Sequence, residues 1–115
     1  MAKESAAFPQ YIRDHEGHLW ELHRDVWWHV QRRHPEVIPY LDAIEATLRN
    51  PDEIRRSRKR HETLLYYRQF ERLRIFRWIV SQWYLCVVVD QQDRVVKTAY
   101  VTAKIKQGEP LWKKA

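Results

Sequence analysis

At Asn50-Pro51-Asp52 the hydrophobic pattern of this chain changes period, and that change constrains the fold more than any other feature. Before it, Leu19, Leu22, Val26 and Val30 recur at helical spacing, with His23 and Trp27 beside the stripe. The spacing predicts a helix from Leu19 to Arg33. Pro35 disfavours helical backbone at His34 but suits the first position of a new helix. Val37, Leu41, Ile44 and Leu48 mark that second helix up to Asn50, with Pro39 in its first turn, where a missing N–H does least harm. After Asp52 the residues alternate. Ile54 to Arg58 reads as a short strand or one helical turn, and Thr63 to Phe70 as a strand. Ile75 to Val80 reads as a ribbon or loop leading into the strand Trp83 to Asp90, and Arg94 to Lys104 as the last strand, after a turn at Gln91-Gln92-Asp93. Helices followed by consecutive strands predict an α+β fold, with N-terminal helices packed on a three- to four-stranded antiparallel β-meander. Residues 1–17 are expected to be an arm, and 18–115 a single domain.

The charge changes where the period does. Residues 1–53 hold 6 Lys and Arg against 10 Asp and Glu, a balance of −4; residues 54–115 hold 15 against 5, or +10, giving the overall +6. Basic charge concentrated on the strands, accompanied by Trp, Tyr and hydroxyl side chains, points to a polyanion such as RNA. The other reading is a basic surface for an acidic protein partner. No apolar run reaches the ~18 residues of a membrane span, and Met-Ala-Lys-Glu-Ser is no signal peptide. A cytoplasmic protein with no membrane association is therefore expected. Cys86, the single cysteine, has no partner for an internal disulfide and reads as a small buried hydrophobe.

The last strand combines two chemistries. In a regular strand Val95, Ala99, Val101 and Ala103 face one way and Val96, Thr98, Tyr100 and Thr102 the other. The first row suits packing on helices; the hydroxyl row, beside Lys97, Lys104 and Lys106, suits phosphate or sugar. Thr98 and Thr102 stand about 13–14 Å apart at ~3.4 Å per residue, so Thr98 is expected at a scissile phosphate and Thr102 at a flanking one. In the strand Thr63 to Phe70, Tyr66 and Arg68 share a face, Tyr66 as a stacking group and Arg68 as a phosphate ligand. Arg58 belongs to the basic run Arg55 to Arg60, read either as a phosphate-gripping loop or as a solvated hairpin. Trp112 either covers the sheet's end or stacks on a base.

Five histidines, His15, His18, His23, His29 and His34, fall in the first 34 residues. With no cysteine pair and no His-Glu-x-x-His, neither a metal site nor a cofactor is expected. Acid–base work is the alternative, because histidine exchanges protons near neutral pH. His29 follows Asp25 by one helical turn, and His34 sits at the corner between the helices. With only Gly17 and Gly108, the chain has no phosphate-binding glycine loop and no Gly-x-Ser-x-Gly elbow.

His29-x-x-x-x-His34-Pro35-Glu36, Asn50-Pro51-Asp52-Glu53-Ile54, Tyr66-Tyr67, Val87-Val88-Val89 and Thr98-Ala99-Tyr100, with the tail Gly108-x-x-Leu111-Trp112, occur here in an order that resembles the phage-associated barnase-EndoU-colicin-RelE (BECR) nuclease-like domains. The similarity runs from Trp27 to Trp112. It implies a helical pair before a four-stranded antiparallel sheet, a toxin-like activity of metal-independent RNA cleavage, and site residues at His29, His34 and Thr98 to Tyr100. The expected chemistry is that of an endoribonuclease. His34, or else His29, takes the proton of a 2′-hydroxyl that attacks phosphorus, while Thr98, Tyr100 and Arg68 hold the phosphate. Lys97, Thr102, Lys104, Lys106, Tyr66 and Arg58 contact the strand. The alternatives are an RNA-binding module without turnover and an interaction domain for an acidic inhibitor or antitoxin.

Overall fold

Gly17 adopts φ +89, a backbone conformation that side chains disfavour, and it reverses the chain just where the helical stripe was expected to begin. The computed structural model describes residues 7–36, 41–75, 77–105 and 107–115. In it, β1 (Gln10–Arg13) and β2 (Leu19–Leu22) form an antiparallel hairpin around that glycine, and α1 (Arg24–Arg33) starts only after His23. The stripe Leu19, Leu22, Val26 and Val30 fits a helix, but Trp20 and Leu22 are buried at a spacing of two and Leu19 is exposed. Burial of the tryptophan decides in favour of a strand.

The elements that follow are α2 (Leu41–Arg49), β3 (Glu53–Arg56), β4 (Thr63–Ile75), β5 (Trp78–Asp90), β6 (Val95–Thr102) and β7 (Glu109–Lys113). All seven strands form one sheet in the order β1-β2-β6-β5-β4-β3-β7. Neighbours are antiparallel except β2 and β6, which run parallel where Glu21 pairs with Val95. The expected fold is thereby corrected: among the described residues 49% are strand and 21% helical, in a mixed seven-stranded sheet with two α-helices in place of a short meander under N-terminal helices. Three strands account for the difference. β1 and β2 lie in residues read as arm and helix, and β7 is a short edge strand whose Pro110 weakens its signal, as proline does at sheet edges. Val37, Pro39 and Lys106 lie outside the described residues. Among the described residues no helix is long and apolar enough to cross a membrane.

One face of the sheet carries the main core. Val30 of α1 and Ile44 and Leu48 of α2 pack with Leu22, Tyr66, Leu85, Val87, Val96 and Ala99. Removing a large side chain from such a site costs ~2–5 kcal/mol. The opposite face has a smaller cluster of Leu65, Tyr67 and Cys86, flanked by Tyr84, Val88, Tyr100 and Ile105. Burial pushes the Cys86 thiol up to about 12, so it is an inert apolar group. A register shift between Val88 and Val89 changes the phase of β6, so Val96, and not Val95, joins Ala99 and Val101 on the helix side.

Asn50-Pro51-Asp52 is a junction as well as a boundary. The Asp52 carboxylate accepts the Gln69 amide at 2.6 Å, its N–H donates to the Tyr67 carbonyl, and its carbonyl accepts the Lys114 amide. Helix α2 is thus fastened to β4 and β7 together. β1 and β7 stand at opposite ends of the strand order, yet the His15 ring, just after β1, lies 4.7 Å from the Trp112 ring of β7. The sheet curls until its two edges meet.

Candidate active site

Where the edges meet there is a cleft of about 320 Å³. The β1–β2 turn contributes His15, Glu16 and His18, the β5–β6 turn Gln91 and Arg94, and β7 Leu111 and Trp112, above a floor that includes Tyr66. The volume suits a small polar ligand or one unit of a polymer.

Asp14 organises the turn that presents both imidazoles. It is 6% exposed, and its Oδ1 accepts the backbone N–H groups of Glu16 and His18, each at 2.9 Å. Its Oδ2 accepts the Tyr66 hydroxyl at 2.6 Å and the Trp20 indole N–H at 3.0 Å. Burial pushes the carboxyl upward, but the bonds from Tyr66, Trp20 and the two amides outweigh it and hold Asp14 below its ordinary range. Burial and the same carboxylate drive Tyr66 far above the ordinary tyrosine value, so its proton stays on the oxygen. The result is a fixed anion beneath the cleft.

That anion faces His18, whose Nδ1 lies 3.5 Å from Asp14 Oδ2 and 3.9 Å from Glu16 Oε1. A carboxylate on the Nδ1 side favours the tautomer with the proton there and leaves Nε2 as acceptor. His15 is wedged between aromatic rings, edge-on to Tyr66 at 6.4 Å and tilted against Trp112. Its Nδ1 is buried without a hydrogen-bond partner among the described residues, and its backbone N–H donates to the Leu48 carbonyl at the end of α2. Arg94 closes the β5–β6 turn at φ +59, an uncommon conformation for any residue but glycine, while its carbonyl accepts the Glu21 amide. Among the described residues no three His, Cys, Asp or Glu side chains form a group able to hold a metal.

Among the described residues, those expected to form the site do not line this cleft, Tyr66 excepted. His34 and Tyr100 do approach each other, with ring centroids 5.8 Å apart, and His34 Nδ1 lies 3.6 Å from Glu36. Burial drives Tyr100 well above the ordinary tyrosine range, chiefly amid Cys86 and Tyr67. Thr98 and Thr102 are half-buried on the Tyr100 side of β6, but the Thr102 hydroxyl donates to the Lys104 carbonyl at 3.0 Å and closes a turn. Lys97 is half-buried at the register shift, and Lys104 and His29 are exposed.

Two assignments are corrected. Tyr66 is 2% exposed and bonded to Asp14, so it is a support and not a stacking platform. Arg68 lies on the helix side of β4, away from Tyr100, with Nη1 donating to the Asn50 carbonyl at 2.7 Å and its guanidinium 5.5 Å from the Phe70 ring. It secures the end of α2. Arg58 is exposed at the β3–β4 turn, 3.5 Å from Glu109.

Sequence reasoning counted His15 and His18 among five histidines without separating them, and passed over Asp14 and Arg94. The available signal was Asp14-His15-Glu16-Gly17-His18, an aspartate able to bond the backbone two residues on, followed by glycine, the composition of a tight turn. Compared with protein families, curated proteins and solved structures, the chain matches none.

Proposed function

We propose that this chain is an RNA-directed domain that cleaves phosphodiesters by metal-independent transesterification, with the cleft as its reactive centre. The observation that supports this most is the convergence of two histidines, His15 and His18, with Arg94 and Trp112 around one nucleotide-sized space. His18 Nε2, its tautomer set by Asp14, removes the proton from a 2′-hydroxyl. That oxygen bonds to the adjacent phosphorus, and the bond from phosphorus to the 5′-oxygen breaks. His15 returns a proton to the departing oxygen, and Arg94 offsets the charge that builds on the phosphoryl oxygens. The products are a 2′,3′-cyclic phosphate and a free 5′-hydroxyl. Both proton transfers are supplied by side chains, and Trp112 offers a face on which a base stacks.

A second reading, RNA binding without turnover, draws on the His34–Tyr100 contact beside the half-buried Thr98. Incubating labelled RNA with the protein in EDTA separates the two. Cyclic phosphate ends that disappear in His15→Ala and His18→Ala but persist in His34→Ala support the cleft. Intact RNA retained by the protein favours the binding module, and cleavage by both cleft variants at the wild-type rate refutes the site.

A further inference from the structure

Beside the cleft stands a turn that cleavage itself does not require. Between β3 and β4, residues 57–62 carry Arg58, Lys59, Arg60 and His61, all exposed. The turn is internally fixed: Ser57 Oγ accepts the backbone N–H groups of Lys59 and Arg60 at 3.2 and 3.3 Å, and the Arg60 carbonyl accepts the Thr63 amide at 3.0 Å. It is also joined to the cleft wall. Gln91, which lines the cleft, donates its N–H to the Glu62 carbonyl at 2.8 Å, and its side chain accepts Arg56 Nη1 at 3.1 Å. Arg56 Nη1 also donates to the His61 carbonyl. Arg58 reaches across to the Gly108 carbonyl at 3.4 Å and to Glu109, at the start of the strand that carries Trp112.

The geometry points to a second phosphate-binding subsite in this turn, formed by the Lys59 and Arg60 side chains, which grips the backbone of an RNA strand as it leaves the cleft. Arg58 is occupied by Glu109, whereas neither Lys59 nor Arg60 has an acidic partner among the described residues. Glu62 touches the cleft wall and Lys59 is three residues away, at most ~10–11 Å of extended chain. A strand seated on Trp112 meets these cations within a nucleotide or two. Held rigidly beside a site for one unit, two free cations select a polyanionic strand over a mononucleotide or dinucleotide. The inference rests on the cleft being an RNA site.

The test uses a 2′-O-methyl oligoribonucleotide, which lacks the attacking hydroxyl, and follows its binding by fluorescence anisotropy across a range of NaCl concentrations. Each phosphate contact on a single strand contributes about 0.7 to the slope of log K against log salt. In the double variant K59A/R60A the slope should fall by about 1.4 and affinity at low salt about tenfold, while a dinucleotide binds both proteins equally. Equal slopes for the two proteins overturn the subsite, as does an equal loss for the dinucleotide. A reduced slope together with no cleavage of ordinary RNA by the wild type leaves the subsite standing and removes the catalytic reading.

Discussion

Asp14 holds four donors in one place, and its replacement by alanine is the most informative perturbation of this fold. The Tyr66 hydroxyl and Trp20 indole N–H it accepts belong to residues 2% and 4% exposed, so water does not easily replace the lost carboxylate. An orphaned buried donor costs ~1–3 kcal/mol. The amides of Glu16 and His18 lie in exposed residues and rehydrate. Two orphans, less the relief of no longer burying a charge, give a loss of about 2–4 kcal/mol, a large share of the ~5–15 kcal/mol typical of a domain. At ~2.1 cal/mol/K per residue, each kcal/mol lowers Tm by about 4 °C in a chain of 115 residues, so a fall of ~8–16 °C follows. Tyr66→Phe removes the bond from the other side. A double-mutant cycle on urea unfolding, read by tryptophan fluorescence, should return a coupling of ~1.5–3 kcal/mol, the range for a hydrogen bond to a charged group. A coupling within ~0.5 kcal/mol of zero would refute the claim that Asp14 and Tyr66 act as one unit.

Gly108 sits at φ +87 with an added Cβ only 2.6 Å from the Arg56 carbonyl, so Gly108→Ala should displace β7 from β3, cost more than ~2 kcal/mol in urea unfolding and red-shift the emission of Trp112. Arg94→Gly relieves a left-handed residue and should leave stability unchanged or raised by up to ~1 kcal/mol while RNA cleavage falls at least ~100-fold; equal activity would remove Arg94 from the site. Stability against pH tests the buried tyrosines. Tyr66 and Tyr67 are held protonated, both chiefly by burial, so unfolded chains lose these protons first. With Tyr100 and the Cys86 thiol raised by burial as well, stability should be level to about pH 8.5 and then steepen to a fall of up to ~5.4 kcal/mol per pH unit, ~1.36 for each of the four groups, with Tyr66→Phe removing about a quarter of the slope. On the acid side the lowered Asp14 contributes stability present above about pH 4 and lost as pH falls through its folded value.

The second half of the chain was largely legible because the runs in β4, β5 and β6 are rich in β-branched and aromatic residues and bounded by turns, although both faces are covered and Thr63–Tyr67 and Leu85–Val87 are buried without a break; α2 was legible because Leu41, Ile44 and Leu48 share one stripe. The first helix was overextended because four apolar residues match helical spacing regardless of what Trp20 does, and only a partner strand settles which period wins. The phase of β6 slipped at Lys97 because a bulge leaves no mark in side-chain chemistry. The cleft was illegible for a broader reason. His15 and Trp112 carry no mutual signal; they meet because each strand adds its increment of twist and the sum turns the sheet's edges toward one another.

That meeting of edges has a consequence for timing. The imidazoles belong to the first turn and the wall opposite them to the last strand, so every intervening pairing must form before the two confront each other. Such long-range closure comes late in folding. Until the last strand docks, the histidines have nothing to hold them against a substrate, and on the proposed reading any cleavage stays latent until the sheet has closed.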